Sequence, residues 1–403
     1  MEKKTKRAPR GTGHIRQRTD GIWEGQYYFE GHRKSVYADS EDECRGELNI
    51  ILGKIYQGTY IDGKMMPLYV YLDFWHKRYP QIRPSTHSNY DSYINGHLFN
   101  SKIGSIPLCK LTYDDFDQFF KEKKQGGRLD GKSGGLSPKT LRNIKNMLNE
   151  ALDLAVYPLK YIGFNPMKNL KLPKVVQKEV VILAGDDQRR IEQTVLRFSN
   201  PNALMVLIDL YTGLRLGEIC AISWPDVSGN FSYFDIRHTL KRLYIEWAEQ
   251  DDSYQLLPYS YLSGDKKTAL YLGEPKTESG KRRIFSPEPV VQGFQKILAY
   301  QQENGLYSPD GFVFLRPNGY PYEPDLYRNQ LYKKVLKAAK VDYVKFHALR
   351  HTFATEALRM DFDLATLAEI LGHAQKTTVL NMYTHSTDDH KKQQMAKFNA
   401  RVG

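Results

Sequence analysis

Two polar stretches interrupt the apolar pattern of this chain and limit what it can fold into. Residues 57–67 combine glycine and threonine with a closing proline, and residues 166–178 combine two prolines with several lysines. Such stretches are typical of exposed linkers between domains. With 403 residues, of which 41% are hydrophobic, the chain is long enough for two or three separate cores. We therefore expect a multidomain protein.

The segment before the first linker predicts a small sheet with one helix. Residues 1–12 form a basic tail. Three runs rich in β-forming residues follow, separated by two turns: residues 14–18, 22–29 and 33–37. The capping-box sequence from Ser40 to Glu43 then starts a helix that extends to about Tyr56. Residues 13–58 should therefore form a three-stranded meander followed by a helix.

The segment between the linkers, residues 66–165, predicts an all-helical domain. Its apolar residues recur at helical spacing, and Thr112 and Ser137 stand where helix N-caps are expected. Glycine-rich residues 126–135 interrupt the helices as a flexible loop. The residues that follow the domain, 166–179, are expected to form an exposed linker.

The last segment, residues 180–403, predicts a mixture of helices and strands. Three strands are expected, at residues 233–238, 269–272 and 282–285. Residues 274–284 predict a hairpin with its turn at Glu278–Gly280. Residues 246–265 predict a loop-rich extension, and residues 388–403 predict a helical tail. The expected fold class is thus multidomain and mainly α with α+β parts, with the mixed α/β domain at the end of the chain.

The charge balance favours a polyanionic partner. The chain carries 58 lysine and arginine residues against 46 acidic ones, a formal net charge of +12. Nucleic acid is the commonest partner of such a protein, although basic residues also serve solubility. Three widely spaced cysteines argue against a disulfide framework and a structural zinc site, and they fit a reducing cytosol. No secretory signal and no run of ~20 apolar residues is present, so we expect a soluble cytoplasmic protein.

The last segment holds cationic side chains suited to a phosphate group. Arg215 begins a predicted helix, where the helix N-terminus and a guanidinium can hold a phosphate together; alternatively Arg215 pairs with Glu218. Lys276 precedes the predicted turn, and a lysine with a lowered pKa can donate a proton to a leaving oxygen. Lys266 and Lys267 are competing candidates. Three basic residues after the turn are expected to be surface charge or to contact a nucleic-acid backbone: Lys281, Arg282 and Arg283.

Two further motifs complete the cationic set. His347 and Arg350 lie three residues apart, so they share one face of a predicted helix. A zinc protease is disfavoured, because its HExxH pattern requires glutamate where this chain has Ala348. His373 follows the end of another predicted helix, and Tyr383 lies ten residues further on.

These motifs together resemble the tyrosine recombinases, also called the phage integrase family. The match keeps the order and spacing of TGLRLGE, PKTESGKRRI, HALRH, LGH and a final tyrosine. Six residues correspond to the catalytic positions of the family: Arg215, Lys276, His347, Arg350, His373 and Tyr383. The segment 13–58 is similar to arm-type DNA-binding domains of integrases from phages and conjugative transposons. Residues 66–165 are similar to the core-binding domain, and residues 180–403 to the catalytic domain.

The resemblance implies a reaction on double-stranded DNA that needs no metal, ATP or other cofactor. Tyr383 is implied to attack a phosphate and form a 3′-phosphotyrosine, while Arg215 and Arg350 stabilise the developing charge. The other members are implied to transfer protons or donate hydrogen bonds: Lys276 to the leaving 5′-oxygen, His347 to the tyrosine and His373 to the phosphate.

The resemblance also implies partners and a setting. Integration and excision of a mobile element would take place at DNA attachment sites, on four protomers, in the cytoplasm of a bacterial cell. An excision factor and a host DNA-bending protein are further possible partners, and the tail at residues 388–403 would dock either on a neighbouring protomer or on its own domain. In the N-terminal sheet, four basic residues are candidates for contacts in a major groove: Arg16, Arg18, Arg33 and Lys34.

Two other functions compete with this interpretation. A type IB topoisomerase uses the same nucleophile chemistry, but the arm-like N-terminal segment argues against it. A DNA-binding regulator with an inactive site is disfavoured, because all six catalytic positions are filled.

Overall fold

The computed structural model describes most of the chain. The described residues are 13–29, 31–57, 65–79, 81–174, 181–257, 267–275 and 277–372, with residues 392, 395 and 396. They form two compact units, one within residues 1–80 and 90–174 and the other within residues 81–89 and 175–403. The domain boundaries expected from the sequence stay predictions.

The first unit begins with a three-stranded antiparallel sheet and a helix. Its elements are β1 (His14–Gln17), β2 (Trp23–Phe29), β3 (His32–Ala38) and α1 (Glu41–Tyr56), and the strand order is β1-β2-β3. Ser40 caps the helix, because its hydroxyl accepts a hydrogen bond from the backbone N–H of Glu43 (3.3 Å). A small core joins the sheet to the helix through Tyr27, Val36, Cys44 and Leu48. The predicted meander and its helix are confirmed.

The rest of the first unit is helical. Its helices are α2 (Leu68–Arg78), α3 (Pro84–Tyr93), which the division between the units crosses, α4 (Tyr113–Gln125) and α5 (Pro138–Val156). Thr112 and Ser137 cap α4 and α5 by accepting hydrogen bonds from backbone N–H groups three residues further on (3.3 and 3.1 Å). These capping residues predict both helix starts, and the structure confirms them. The apolar core includes Trp75, Phe116 and Ile144.

The expected exposed linker does not begin at residue 166. Met167 and Leu170 are buried in the core of the helical part, with exposures of 0% and 2%. Lys145 of α5 holds the same segment by donating a hydrogen bond to the carbonyl of Leu170 (2.5 Å). The prediction is wrong for these residues because burial of two large apolar side chains stabilises the packed arrangement.

The second unit consists mainly of helices around one large apolar core. The helices are α6 (Gly185–Leu196), α7 (Met205–Thr212), α8 (Leu216–Cys220), α9 (Ile245–Ala248), α10 (Glu288–Glu303), α11 (Pro324–Tyr327), α12 (Lys333–Ala338), α13 (His347–Arg359) and α14 (Leu364–Leu371). Helices α7 and α13 pack against each other, and α13 also contacts α14. This packing brings together the helix ends on which the site is built.

Two small antiparallel sheets complete the second unit. The strands are β4 (Tyr233–Ile236), β5 (Thr239–Tyr244), β6 (Tyr254–Leu256), β7 (Thr268–Gly273) and β8 (Arg282–Phe285). One sheet pairs β4 with β8, and the other has the order β5-β7-β6. The multidomain, mainly helical fold class with α+β parts is confirmed.

The predicted hairpin over residues 274–284 is wrong. Residues Glu278–Gly280 do reverse the chain, as a short 3-10 helix, but the flanking strands β7 and β8 belong to different sheets. Strand β8 pairs instead with β4, almost fifty residues earlier in the chain. A turn signal is local, whereas the choice of partner strand depends on distant residues.

The predicted loop-rich extension at residues 246–265 contains regular structure. Helix α9 overlaps its start and strand β6 lies within it, whereas residues 258–266 lie outside the described residues. The predicted helical tail at residues 388–403 also lies almost wholly outside them. In the part of the chain that the structure describes, no helix is long and apolar enough to cross a membrane.

Candidate active site

Two helices of the second unit end on glycines in the left-handed conformation. Helix α7 ends at Gly213 (φ +63°) and helix α14 at Gly372 (φ +63°). A Cβ atom on Gly213 would lie 2.5 Å from a carbon of Phe353 and 2.7 Å from a carbon of Leu371. Both the backbone conformation and the lack of space therefore require glycine at this position. The close contact with Leu371 brings the ends of α7 and α14 together.

Arg350 joins these two helix ends from helix α13. The residue is only 1% exposed, and its Nη1 and Nη2 atoms donate hydrogen bonds to the carbonyls of Gly213 and Leu371, each at 2.7 Å. Burial, and then the charge of Arg215, lowers the pKa of Arg350 to about 10. The guanidinium therefore stays cationic at neutral pH.

Arg215 precedes helix α8, as predicted, and contacts the same end of α14. Its Nη2 atom donates to the carbonyl of Gly372 (3.3 Å), and its Nη1 atom donates to Oε1 of Glu218 (2.6 Å). The sequence allows this pairing with Glu218 as an alternative to a phosphate site. In the structure Arg215 pairs with Glu218 and also lies next to Arg350. Its side chain is 42% exposed. Arg215 is therefore accessible to a ligand while it is held by Glu218.

Glu218 binds two arginines at once. Its side chain is 3% exposed, and its carboxylate accepts from the backbone N–H of Arg215 (3.1 Å), from Arg215 Nη1 and from Arg282 Nη2 (2.9 Å). Burial alone would raise the pKa of Glu218, but the charges and hydrogen bonds of Arg282 and Arg215 lower it below its ordinary value. The carboxylate is thus ionised and orients both guanidinium groups.

The expectation that Arg282 is surface charge or a nucleic-acid contact is wrong. Its side chain is 7% exposed, and besides Glu218 it binds two carbonyls, that of Ile370 through Nε (2.6 Å) and that of Gly280 through Nη1 (2.9 Å). Alternation along β8 explains the difference from its neighbours, because successive side chains of a strand point to opposite faces. The neighbouring Arg283 is 49% exposed and pairs with Asp235 (2.9 Å).

Three consecutive carbonyl groups at the C-terminal end of α14, the last of them that of the capping Gly372, each accept a hydrogen bond from an arginine. The pairs are Arg282 with Ile370, Arg350 with Leu371 and Arg215 with Gly372. Carbonyls at a helix C-terminus lack partners within the helix and carry partial negative charge, so cations stabilise them. From Gly372 the chain continues directly to His373.

His347 begins helix α13 and lies near the same cations. Its ring is in edge contact with that of His351, with the centroids 4.6 Å apart. Desolvation, followed by the charges of His351, Arg350 and Arg215, lowers the pKa of His347 to about 4. Although His347 as a whole is exposed to solvent, the direction of the pKa shift keeps its ring neutral at pH 7. A neutral imidazole can accept a proton.

Three of the six predicted catalytic residues lie outside the described residues: Lys276, His373 and Tyr383. The competing Lys266 also lies outside them, whereas Lys267 is exposed and directly precedes β7. The structure therefore brings together Arg215, His347 and Arg350 and adds Glu218 and Arg282 to them. Within the described ranges, no three His, Cys, Asp or Glu side chains are grouped to bind a metal ion.

The sequence profile of the phage integrase family matches residues 182–390, which is more than half of the chain and includes all six predicted catalytic positions. This chain belongs to the phage integrase family. It is a tyrosine recombinase, an enzyme that breaks and rejoins DNA, as the sequence motifs predict.

Recombinases and transposases align with this chain over most of their own length. This chain is 24% identical over 370 residues to a XerC-like tyrosine recombinase of Caldanaerobacter subterraneus subsp. tengcongensis, and the alignment covers 88% of each chain. It is 25% identical over 361 residues to the transposase from transposon Tn916 of Enterococcus faecalis, covering 86% of this chain and 80% of the transposase.

Solved structures share the fold. The Tn1549 transposon integrase, in complex with a circular intermediate DNA, aligns with a TM-score of 0.65 and 22% identity over 83% of this chain and 99% of the other. A lambda integrase dimer bound to a core site aligns with a TM-score of 0.56 and 15% identity over 94% of this chain and 96% of the integrase chain.

The N-terminal sheet of the recombinase has one face on helix α1 and one open face. Directly paired residues of an antiparallel sheet point to the same face. Gly25 pairs with Val36 on the core side. Arg16, which pairs with Glu24, and Arg33, which pairs with Tyr28, therefore lie on the open face.

The four predicted DNA-contacting residues are divided between these faces. Lys34 pairs with the buried Tyr27, so it lies on the α1 side and not beside Arg33. Arg18 lies near the ring of Tyr37 (5.5 Å), which is on the open face. The open face thus carries three of the four basic residues, together with the exposed rings of Tyr28 and Tyr37.

Proposed function

We propose that this tyrosine recombinase integrates and excises a mobile genetic element at specific DNA sites, with Tyr383 as its nucleophile. The observation that carries the proposal is the convergence of Arg215 and Arg350 on consecutive carbonyls of Gly372 and Leu371. From this point the chain leads through His373 to Tyr383, and residues 373–383 are called the nucleophile segment. Two guanidinium groups next to the origin of the nucleophile segment suit a scissile phosphate.

The proposed reaction is a pair of transesterifications. The hydroxyl oxygen of Tyr383 attacks phosphorus, the bond from phosphorus to the 5′-oxygen breaks, and a 3′-phosphotyrosine forms. The tyrosine proton passes to neutral His347, and Lys276 gives a proton to the departing 5′-oxygen. In the second step a 5′-hydroxyl from the partner DNA strand attacks, and Tyr383 leaves. The phosphodiester bond energy is conserved in the protein–DNA bond, so the exchange needs no ATP.

Arg215 and Arg350 would bind the two nonbridging oxygens of the phosphate. A guanidinium presents planar N–H donors that match phosphate oxygens, and fixed donors stabilise the charge that grows in the transition state. Glu218 holds Arg215 through two of its donor groups, so the guanidinium is oriented before DNA arrives. His373 would add a hydrogen bond to the same phosphate.

The described part of the loop before β8 supports Lys276 over Lys267 as the general acid. Lys267 precedes β7 and Lys276 follows it, and six strand residues separate the two ends by roughly 20 Å. The loop after β7 reaches the end of α14, because the carbonyl of Ser279 lies 3.1 Å from the position of a Cβ on Gly372. The described residues of this loop therefore approach the end of α14, which supports a general acid from the loop over Lys267.

The mobile-element role rests on the kind of relatives and on the N-terminal module. The transposase from transposon Tn916 and the ICEBs1 integrase of Bacillus subtilis align over 86% and 79% of this chain. We propose that the DNA partners are the attachment sites of such an element, that four protomers act on two duplexes, and that the N-terminal sheet binds arm-type sites. An excision factor and a host DNA-bending protein belong to the same proposal, as does action in a bacterial cytoplasm.

A plasmid assay separates this function from a topoisomerase. Two plasmids carry the joined ends of the element that encodes the protein and its chromosomal target, and the full chain is added without ATP. We expect recombinant plasmids with the wild-type protein and none with Tyr383→Phe. Efficient relaxation of a plasmid without either site, in the absence of recombinants, would instead indicate a topoisomerase.

A nicked duplex tests the regulator alternative. When the nick lies near the cleavage position, the short 5′-hydroxyl strand diffuses away and the covalent adduct accumulates. Wild-type protein should form an adduct that survives denaturing electrophoresis, whereas Tyr383→Phe should bind the duplex with similar affinity and form none. Specific binding without any adduct from the wild-type protein would indicate an inactive regulator.

A further inference from the structure

Arg282 is a buried arginine that connects three parts of the active site. Its Nη2 atom binds Glu218 (2.9 Å), its Nε atom binds the carbonyl of Ile370 near the end of α14 (2.6 Å), and its Nη1 atom binds the carbonyl of Gly280 in the loop before β8 (2.9 Å). Its Nε, Nη1 and Nη2 atoms thus all have acceptors within the protein. Its contacts point to a role inside the protein.

One of these contacts reaches a catalytic arginine through a single carboxylate. Glu218 Oε2 accepts from Arg282 and from the backbone N–H of Arg215, while Oε1 accepts from the Arg215 guanidinium. Without Arg282, the carboxylate would lose its second cationic partner and the constraint that fixes its orientation. The direction of the Arg215 guanidinium depends on that orientation.

A second contact reaches the start of the nucleophile segment. A Cβ atom on Gly372 would lie 2.9 Å from Nη1 and 3.0 Å from Cζ of Arg282. The guanidinium therefore packs directly against the residue that precedes His373, in addition to its bond with the Ile370 carbonyl. Arg282 thus sets the position from which the chain leaves α14.

We propose that Arg282 is a positioning residue for DNA cleavage, which aligns Arg215 with the chain segment that leads to Tyr383. This inference rests on the proposed function, because it assigns Arg215 and Tyr383 their roles. The residue has to be arginine, since three N–H groups in one plane bind three acceptors in different directions. A lysine at this position has one ammonium group, which cannot hold all three at once.

The rate of adduct formation on the nicked duplex, measured at saturating DNA, tests the inference. We expect Arg282→Met to slow adduct formation by about 100-fold, the loss typical of a misplaced catalytic group, while DNA affinity changes by less than about threefold. Arg282→Lys should recover only part of the rate. Arg242→Met is the matched control, because Arg242 is also partly buried and pairs with Glu323 (2.7 Å) in the same unit. It should lower thermal stability and leave the cleavage rate at saturating DNA unchanged.

A double-mutant cycle with Arg215→Lys separates positioning from general destabilisation. If Arg282 acts through Arg215, its loss should cost much less in the Arg215→Lys background than in the wild-type protein. A loss of folded protein would instead multiply the rate by the same factor in both backgrounds. Should Arg282→Met fail to give a cooperative unfolding transition, the folded Arg282→Lys protein carries the test, with a rate at least about tenfold below wild type expected.

The outcomes distinguish this inference from the proposed function. Equal rates for Arg282→Met and Arg242→Met, equal losses in the two Arg215 backgrounds, or a wild-type rate from Arg282→Lys would each overturn the positioning role. Each leaves the proposed function standing, provided that the wild-type protein forms an adduct and Tyr383→Phe does not. No adduct from the wild-type protein would overturn both.

Discussion

Asp209 is the least expected residue near the candidate site. It is fully buried on helix α7, one turn before Gly213, and among the described residues neither of its carboxylate oxygens has a hydrogen-bond partner. Desolvation raises the pKa of Asp209 well above its usual value, although the charge of Arg350 acts in the opposite direction. The carboxyl is therefore favoured in its neutral form in the folded protein.

Replacing this residue with asparagine should change how stability depends on pH. Because the folded-state pKa is raised, the neutral acid stabilises the fold below the ordinary pKa near 4, and this contribution is lost as pH rises towards the folded-state value. The loss amounts to about 1.4 kcal/mol per pH unit within that window. We expect the stability of Asp209→Asn relative to wild type to increase as the pH rises from 5 to 8. Thermal unfolding midpoints of both proteins at the two pH values measure this difference.

A relative stability that does not rise from pH 5 to pH 8 would contradict this and show that Asp209 is ionised and paired with Arg350. In that case the asparagine variant would be less stable than wild type at both pH values, since Arg350 would lose a charged partner. Asp209 could not have been selected from the sequence, because an aspartate in an apolar helix is not by itself a sign of chemistry.

At the scale of elements, the end of α14 is the structural centre of the site. Local signals predicted its termination: Gly372 follows the last apolar residue, and Gly213 ends α7 in the same way. The three arginines that cap α14 come from distant positions in the chain. Their convergence could not be predicted from spacing, except where the resemblance to a family supplied Arg215 and Arg350.

Gly213→Ala should destabilise the protein more than the same substitution at another glycine with a left-handed backbone. The left-handed backbone disfavours any side chain by about 1 kcal/mol, and the contacts with Phe353 and Leu371 should add about 1–3 kcal/mol of overpacking. Gly305 is the matched control, because its φ is +64° but no atom lies within 4 Å of an added Cβ. We expect the thermal midpoint to fall further for Gly213→Ala than for Gly305→Ala, with a loss of adduct formation in Gly213→Ala alone. Equal midpoints and rates would contradict the packing at Gly213.

The strands illustrate what local sequence can and cannot predict. The N-terminal meander was predicted because its strands are adjacent in sequence and joined by short turns. Local sequence does not predict the sheets of the second unit, because β8 pairs with β4 and β7 lies between β5 and β6. The same limit hid Arg282: its burial depends on which face of β8 is covered, and that follows from the pairing.

At the scale of the whole molecule, the two faces of the N-terminal sheet make a prediction about DNA binding. Arg33 lies on the open face, and the adjacent Lys34 lies on the α1 side. Arg33→Ala should therefore weaken binding to DNA that carries the arm-type sites and lower the slope of log affinity against log salt by about one unit. Lys34→Ala is the matched control, with the same charge change on the opposite face.

Anisotropy titrations of the full chain at several salt concentrations would measure both variants. A larger loss for Lys34→Ala than for Arg33→Ala would mean that the sheet does not use its open face. The net charge of +12 pointed to nucleic acid, but only the strand register divides the basic residues between the faces.

The identity of the covalently linked residue tests the central claim most directly. The adduct trapped on a nicked duplex is digested with nuclease and protease, and the peptide that carries the nucleotide remnant is sequenced by tandem mass spectrometry. The proposed mechanism predicts a single modified residue, Tyr383, joined to a 3′-phosphate. A remnant on any other residue, or an adduct formed by Tyr383→Phe, would contradict it.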